Sequence, residues 1–554
     1  MLRQTDNLNH KTAMRSNNTT RTDLPTMLMH WGLVIALLLS VSTGWRIASM
    51  TDGSALLRWV DVLLLQGNVL RWHFMSAAVL TALVVAYIVF LWRMDLGGRL
   101  TLRLSSLKSR DHKTRWQAIN KLIYWIAFAL LAGAAVTGVL MYFLPGLLPT
   151  NALVTVHQWL SWGFVGYMGM HVVAQVIMGG IRQLLKIVTP RAAYGIGASF
   201  ALVAGLGGAA FAYVLDSSSQ PVLTFVKTTT LPALDGDASD EVWKQASETV
   251  VHTARGFNLT GGEVDVHVRA LHDGNRAYML FRWQDATRSQ KHIPLQKTAE
   301  GWKLLHTNYY NNDENEYYED KFAVMVAQSP VAGGNTVRLG SQPFADKPGP
   351  SNGLGLHAAT DGNLADVWHW KSVRSGAINQ FDDNYFGQLM DVKPGRYTGG
   401  YTQDPKTSGG FDQIFEKIAD SPYVKVKFLP KDLAAQQAQM GTFNPDPNVS
   451  DMGKFAMAKA DVQPYSAEAD AAIPVGTVIP SIVYNAPFAG DRGDVSANAQ
   501  WKDGWWTMEA SRLLDTGSKF DQPLANGSYM WVSVFDHNQV RHTRHVQPMR
   551  VRLQ

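Results

Sequence analysis

Five apolar stretches, roughly 27–49, 70–92, 119–143, 153–180 and 194–215, each reach the about 20 residues that a helix needs to cross a bilayer. They constrain the 554-residue chain more than any other feature. Backbone in hydrocarbon must satisfy its own hydrogen bonds, and a run of that length does so as a helix. The first stretch is not read as a cleaved signal peptide: its leader is long and polar, His30 and Trp31 stand near its start, and four more spans follow. The chain's mean hydropathy of −0.09 averages this half with a very different one.

Charge divides the same way. Residues 1–215 hold 18 Lys+Arg against 6 Asp+Glu, whereas residues 216–554 hold 32 against 39. The excess base lies between apolar runs, which is a membrane pattern and argues against a nucleic-acid partner. Lys and Arg crowd the leader 1–26, the loop between spans two and three, and the segment after span four; the intervening loops are poor in them. That distribution predicts a cytoplasmic N-terminus and a fifth span that delivers everything after Asp216 to the periplasmic side of a bacterial inner membrane. No cysteine occurs. Disulfides, Cys-ligated zinc, iron–sulfur clusters and covalently attached c-type haem are thereby removed.

Histidine inside a span is costly and points to function. His10 and His112 fall in cytoplasmic segments and read as solvated, but His30, His73, His157 and His171 fall in spans. His157 and His171 are 14 residues apart on span four. At 3.6 residues per turn they share a face to within about 40° and stand about 21 Å apart along the axis. Alternating span directions put His73 level with His157 near the periplasmic surface, and His30 level with His171 nearer the cytoplasm. A lone intramembrane histidine can be an interhelical hydrogen-bonder. Two depth-matched pairs suit two stacked haems with bis-histidine ligation, which needs no cysteine.

The stretches MHWGLVIALLLSVSTGW, RWHFMSA, YWIAFALLAGAAVTGVLMYF and VHQWLSWGFVGYMGMHV resemble the four helices of bacterial di-haem b-type cytochromes, the membrane subunits of formate dehydrogenases and nickel–iron hydrogenases. The resemblance covers roughly residues 20–190, including the HW at the start of span one and the TG near its end. It implies electron transfer between a quinone and a partner through two b haems. The expected organisation is a leader (1–26), a four-helix di-haem membrane bundle (27–190), a fifth anchoring helix (191–216) and a periplasmic domain (217–554).

After Gln220 the sequence changes to short apolar runs separated by Gly, Asn, Asp and Pro turns. VDVHVRAL (264–271), AYMLFRW (277–283), KFAVMVA (321–327) and SYMWVSVF (528–535) read as strands, and an all-β sandwich is the expected class. The stretch 431–470 reads as a surface insertion or a short helical excursion. LPALDGDASDEVWKQA resembles the opening of carbohydrate-binding-type β-sandwiches. With FRWQDAT, DKFAVMV, DVWHWKSVR, WKDGWWTMEASR and VFDHNQVRHTRHVQ, it is similar to the haem-binding domain of the ethylbenzene dehydrogenase family. In the best-known branch of that family a Met and a Lys hold one b haem. At the matching places this chain has His357, in GLGLHAATDG, and His545. The resemblance thus implies a third, noncovalent b haem held by His357 and His545. Trp368 and Trp370 are expected to wall its pocket, and Arg541 and Arg544, beside His545, to pair with its propionates. His369, His542 and Met325 are reserve donors.

Every histidine singled out here is expected to ligate haem iron, and none to act as an acid or base. No Ser–His–Asp set, P-loop or paired carboxylate site stands out. The expected function is electron transfer between quinone or quinol and a periplasmic redox partner. Two rivals stay open: a haem-free ligand or sugar sensor on a redox-coupled anchor, and a terminal reductase of a small periplasmic oxidant or ferric iron.

Overall fold

A computed structural model describes residues 22–52, 60, 63–65, 69–330, 364–387 and 401–554, without the side chains of 50–52. The chain forms two units, one helical and one built of strands.

In the helical unit the apolar stretches form α1 (Leu24–Asp52), α2 (Val69–Arg93), α3 (His112–Phe143), α4 (Thr150–Leu185) and α5 (Gly195–Ser219). All five are long and apolar enough to cross a membrane. Helix α3 starts seven residues before the apolar run of span three, because Asp111 caps it by accepting a 2.8 Å hydrogen bond from the Thr114 amide. Helix α4 is broken at Gly179–Gly180, where Gly180 has φ 64°, so its apolar part ends where the sequence reading places it.

Small residues let these helices approach closely. A Cβ added at Gly163 would lie 2.8 Å from Leu130 Cδ2, and one at Gly133 would lie 3.1 Å from Leu160 Cδ1. Helices α3 and α4 thus lock by two reciprocal Leu-into-Gly notches. Helix α5 meets α2 the same way, with a Gly208 Cβ only 2.6 Å from Ala82 Cβ. At one end of the bundle Arg99 bonds Asp23 at 2.8 Å and Thr26 at 2.9 Å, and the Trp31 indole donates to Ile187 O at 3.1 Å. At the other end Tyr142 donates to Asp216, whose carboxylate lies 3.8 Å from Arg71. The α1 start, the α2–α3 loop and the α4–α5 link therefore share one end, as alternating spans require.

The strand unit is dominated by one large sheet. Its strands are β1 (Val222–Lys227), β2 (Thr249–Ala254), β3 (Glu263–His272), β4 (Arg276–Gln284), β5 (Lys321–Ala327), β6 (Ala365–Lys371), β7 (Asp382–Phe386), β8 (Tyr401–Gln403), β9 (Ser496–Lys502), β10 (Trp505–Leu513), β11 (Tyr529–Phe535) and β12 (Met549–Leu553). The order is β8-β7-β6-β5-β11-β12-β1-β3-β4-β10-β9, with β2 also on β3. The β12–β1 and β1–β3 ladders are parallel, and the others in this sheet are antiparallel.

The sheet curls so that its two halves face each other across one core. Trp283 on β4 stacks on Phe322 of β5 with ring centres 4.6 Å apart, and Trp370 on β6 meets Trp506 on β10 at 5.1 Å, although neither pair of strands is adjacent. Alternation along each strand buries Phe281, Trp283, Val324, Trp368, Met508 and Val532 in this core. The expected all-β sandwich is what forms, and the four strands read from sequence all lie in this sheet. A second, smaller core around Ile293, Trp302, Leu429 and Ile479 sits under short sheets drawn from residues 295–304 and 411–484. In the stretch 431–470 the helical excursion is α6 (Leu433–Met440), accompanied by short strands.

Candidate functional site

The four intramembrane histidines meet in the two expected pairs. Ring centres are 6.0 Å apart for His73 and His157 and 6.4 Å for His30 and His171. Two imidazoles on opposite sides of one metal, with bonds of about 2 Å, place their ring centres about 6.3 Å apart. Both pairs therefore have the separation of a bis-histidine metal site, and the side chains fit a b haem. The only carboxylates on the five helices, Asp52 and Asp216, stand near helix ends, so nothing anionic competes for the rings.

The His73–His157 pair has a second layer that sets which nitrogen faces inward. Thr137 donates its hydroxyl hydrogen to Gly133 O at 2.9 Å, so its oxygen accepts from His157 Nδ1 at 2.8 Å. Thr43 donates to Leu39 O at 2.7 Å and accepts from His73 Nδ1 at 3.1 Å; the Ser40 carbonyl takes the same proton at 2.9 Å. With Nδ1 protonated on both rings, both Nε2 lone pairs are available for a metal. Each Thr precedes a glycine beside the same ring: a Cβ at Gly44 would lie 3.2 Å from His73 Cε1, and one at Gly138 would lie 3.7 Å from His157 Cε1. The repeated Thr-Gly of spans one and three was the sequence signal for this layer. A single Thr-Gly pair in sequence carries no sign that its hydroxyl meets a ring on another helix.

The His30–His171 pair is built differently. Among the described residues neither Nδ1 has a hydrogen-bond partner. Around His171 stand Tyr124 and Tyr167, with ring centres 5.5 and 5.7 Å away. The Tyr124 hydroxyl accepts from Asn120 Nδ2 at 2.8 Å and from Gln175 Nε2 at 3.2 Å, while the buried Asn120 Oδ1 has no partner among the described residues. Sequence reasoning passed over these amides because single Asn and Gln residues on a helix carry no spacing signal. The solvated role read for His112 falls at the first residue of α3; His10 lies outside the described residues.

The residues expected to hold a third haem have other neighbours in the strand unit. His545 accepts the Val532 amide on Nε2 at 3.0 Å and engages Gln547 O through Nδ1 at 2.7 Å. Both ring nitrogens engage backbone where β11 runs on past its short pairing with β12, which ties His545 to that strand. Trp368 and Trp370 lie in the sandwich core, on the opposite face of β6 from His369, and cannot wall a pocket on that side. Arg541 is held by Asp313. His357 lies outside the described residues. Of the reserve donors, His542 Nδ1 engages Thr543 O at 2.7 Å. His369 has a buried Nε2 with no partner among the described residues; its ring lies along Phe535 at 5.2 Å and its Nδ1 is 3.3 Å from the Tyr401 hydroxyl. Met325 pairs across strands with Val367 and Trp531 on that same outer face.

The paired histidines in an apolar bundle, followed by a curled β-sandwich, define a membrane electron-transfer protein of the b-cytochrome class. Residues 21–190 match the family model of prokaryotic cytochrome b561, and residues 240–547 match that of ethylbenzene dehydrogenase. The second match spans more than half of the chain, which therefore belongs to the ethylbenzene dehydrogenase family, with a cytochrome b561 bundle fused ahead of it. A comparison with curated proteins returned no match. Among solved structures, carbohydrate-binding modules of family 9 from Caldicellulosiruptor kristjanssonii, in complexes with cellotriose and with glucose, align with 60% of this chain and with 93% and 95% of theirs. Their identities are 8% and 9% and both TM-scores are 0.22, a likeness too slight to carry an argument.

Proposed function

We propose that this chain passes electrons between the quinone pool and a periplasmic redox partner, using b haems held by His73 with His157 and by His30 with His171. The observation that carries the reading is the two pairs at 6.0 and 6.4 Å. Haem iron bound there supplies one-electron redox chemistry. The protein's own residues fix the rings: Thr43, Ser40 and Thr137 hold the Nδ1 protons of one pair, and apolar helices exclude water from both. Asn120, Tyr124 and Gln175 form a buried polar group beside His171, and such groups inside a membrane are costly enough to mark a ligand path. They suit the carbonyl and hydroxyl groups of a quinone or quinol. The Lys and Arg distribution supports a cytoplasmic leader (1–26), a di-haem bundle (27–190), an anchoring fifth helix (191–216) and a periplasmic sandwich (217–554) in a bacterial inner membrane.

The reading extends to a third b haem in the sandwich. His357 is retained as one donor, and His369 replaces His545, because His369 alone of the two has an uncommitted nitrogen.

Haem quantitation and optical spectra on the full chain in detergent test both parts. His73→Ala and His157→Ala should remove one and the same haem, and His30→Ala and His171→Ala the other. Any one of these variants that keeps both membrane haems with unchanged spectra sinks the pairing. Three haems per chain, falling to two in His369→Ala and not in His545→Ala, supports the sandwich haem. Two in the unaltered chain removes it and leaves a haem-free ligand-binding module on a redox anchor. For the quinone contact, Asn120→Leu and Gln175→Leu should slow quinol-driven haem reduction at least about tenfold at full haem content. Unchanged rates would place the quinone elsewhere.

A further inference from the structure

A group of acidic side chains lies inside the strand unit, with Asp366 on the face of β6 opposite His369. Asp366 comes from β6, Asp383 from β7, Asp404 follows β8, Asp494 precedes β9 and Asp521 lies between β10 and β11. Carboxylate oxygens of Asp366, Asp383 and Asp521 all lie within 4.8 Å of one another. Asp366 and Asp383 are fully buried, and Asp404 is 3% exposed.

Clustering alone would say little, but the hydrogen bonding is incomplete in a specific way. Asp366 Oδ2 is bonded by Arg512 Nη1 at 2.5 Å and by the Gln522 amide at 3.2 Å. Asp383 Oδ1 accepts from the Asn384 amide at 2.8 Å, and Asp521 Oδ2 from Thr516 at 2.5 Å. Asp366 Oδ1, Asp383 Oδ2, Asp494 Oδ1, Asp521 Oδ1 and both oxygens of Asp404 are buried and receive no N–H or hydroxyl donor among the described residues; carboxyl meets carboxyl instead, Asp404 against Asp521 and Asp383 against Asp494. Buried polar atoms are nearly always satisfied, and an exception points to a bound water or ion that the protein atoms leave out. Arg512 faces four of these carboxylates, Asp366, Asp383, Asp494 and Asp521, and bonds the first. Anions so crowded and dry are tolerated when a cation joins them.

We infer that this cluster is a divalent-cation site that takes Ca²⁺, with Asp366, Asp383 and Asp521 as direct ligands and Asp404 and Asp494 completing the shell. The donors are all oxygens, which favours a hard cation, and among the described residues no imidazole joins the cluster to favour zinc. Ca²⁺ bonds of 2.3–2.6 Å put oxygens on opposite sides of the ion about 4.6–5.2 Å apart, and the 4.8 Å cluster fits inside that sphere. The smaller Mg²⁺ demands a tighter octahedron and gives up its water reluctantly. The ligands come from five separate chain segments, so the ion would tie together the β6–β7–β8 edge, the approach to β9 and the β10–β11 connection.

The experiment uses the full chain in detergent, stripped with EGTA and titrated with Tb³⁺ and then Ca²⁺. Trp368 is the register partner of Asp383 and is placed to sensitise Tb³⁺ emission. The expected result is a saturable Tb³⁺ signal displaced by Ca²⁺ and not by equimolar Mg²⁺. Ca²⁺ should also raise the thermal unfolding midpoint of the sandwich. Asp383→Asn and Asp404→Asn should each weaken Ca²⁺ binding at least tenfold at unchanged haem content. The inference is overturned if the stripped wild-type chain shows neither a Tb³⁺ site nor a Ca²⁺-dependent midpoint, or if both Asn variants retain the wild-type signal. The wild-type titration decides alone if the variants do not fold.

Discussion

At the residue scale the informative atoms are the Nδ1 nitrogens of the four intramembrane histidines. Those of His73 and His157 are tied to hydroxyl or carbonyl oxygen, whereas those of His30 and His171 have no partner among the described residues. A tied Nδ1–H makes a ring a stronger donor to its metal, and losing such a partner costs about 10–100-fold in metal affinity or activity. Thr137→Val is therefore expected to weaken haem retention at the His73–His157 site by about that factor, with Thr137→Ser close to wild type; transfer of haem to apomyoglobin measures it. The same difference predicts two resolved midpoint potentials. The His73–His157 haem should be the lower on this account, and Thr137→Val should raise it; a redox titration that finds the lower potential unmoved would refute the link. The histidines were legible in sequence because charge is so costly in a bilayer that ionisable residues there announce themselves. Thr43, Thr137, Asn120 and Gln175 were not, because hydroxyls and amides pass unremarked in any helix. The backbone bonds of His545 were not legible for a third reason: spacing cannot reveal whether ring nitrogens already hold backbone.

At the scale of elements, the bundle depends on how closely α3 and α4 approach. The Thr137–His157 hydrogen bond bridges these two helices, and the Gly133–Leu160 and Leu130–Gly163 notches hold them near enough for it to form. In Gly163→Leu the new side chain must displace Leu130, at a cost of about 1–3 kcal/mol by the usual scale for overpacking. The variant should lose the His73–His157 haem before the other, and haem-to-protein ratios on heating would show it. Equal loss of both haems would mean that the notch does not control this site in particular. Element identities were legible throughout, since a 20-residue apolar run and a period-two strand leave few alternatives. Element starts were less so: α3 begins in the polar sequence His112–Gln117, where a single Asp cap outweighs the lack of apolar residues. The curl of the sheet was not legible, because it depends on which non-adjacent strands face each other.

For the whole molecule, acid response should be set in the strand unit. His292 is fully enclosed, its Nδ1 3.0 Å from Glu319 Oε1, and Arg374 bonds the same carboxylate. Burial, with the nearby Arg374 charge, pushes His292 down to about 4. Burial alone would raise Glu319, but Arg374 and His292 outweigh it and hold that carboxyl well below the usual carboxylate range. Between pH 6.5 and 4 the unfolded chain therefore binds a proton on His292 that the folded chain refuses. Stability from this group is complete above 6.5 and lost as pH falls through that window, by up to about 3 kcal/mol; below the window Glu319 adds a loss of the same sign. Denaturant midpoints followed by tryptophan fluorescence at pH 7, 6, 5 and 4.5 should fall in that order, and His292→Gln should flatten the slope. An equally steep slope in the variant would assign acid sensitivity to other groups.

The parallel ladder of β12 with β1 has a consequence for how the protein is made. Strand β1 is among the first residues of the strand unit to leave the ribosome and β12 among the last, yet among the described residues β12 is the strand whose ladders join β11 to β1, the two halves being otherwise linked by the isolated bridges Gln380–Ser496 and Ala254–Arg544. Until residues 549–553 have emerged, β1, β3, β4 and β10 form one fragment and β5, β6, β7 and β11 another, each with an open edge that invites pairing with other chains. The unit must wait through most of its own synthesis before it can close, so it is here, and not in the early-inserted helices, that a holding chaperone would shape the yield of folded protein.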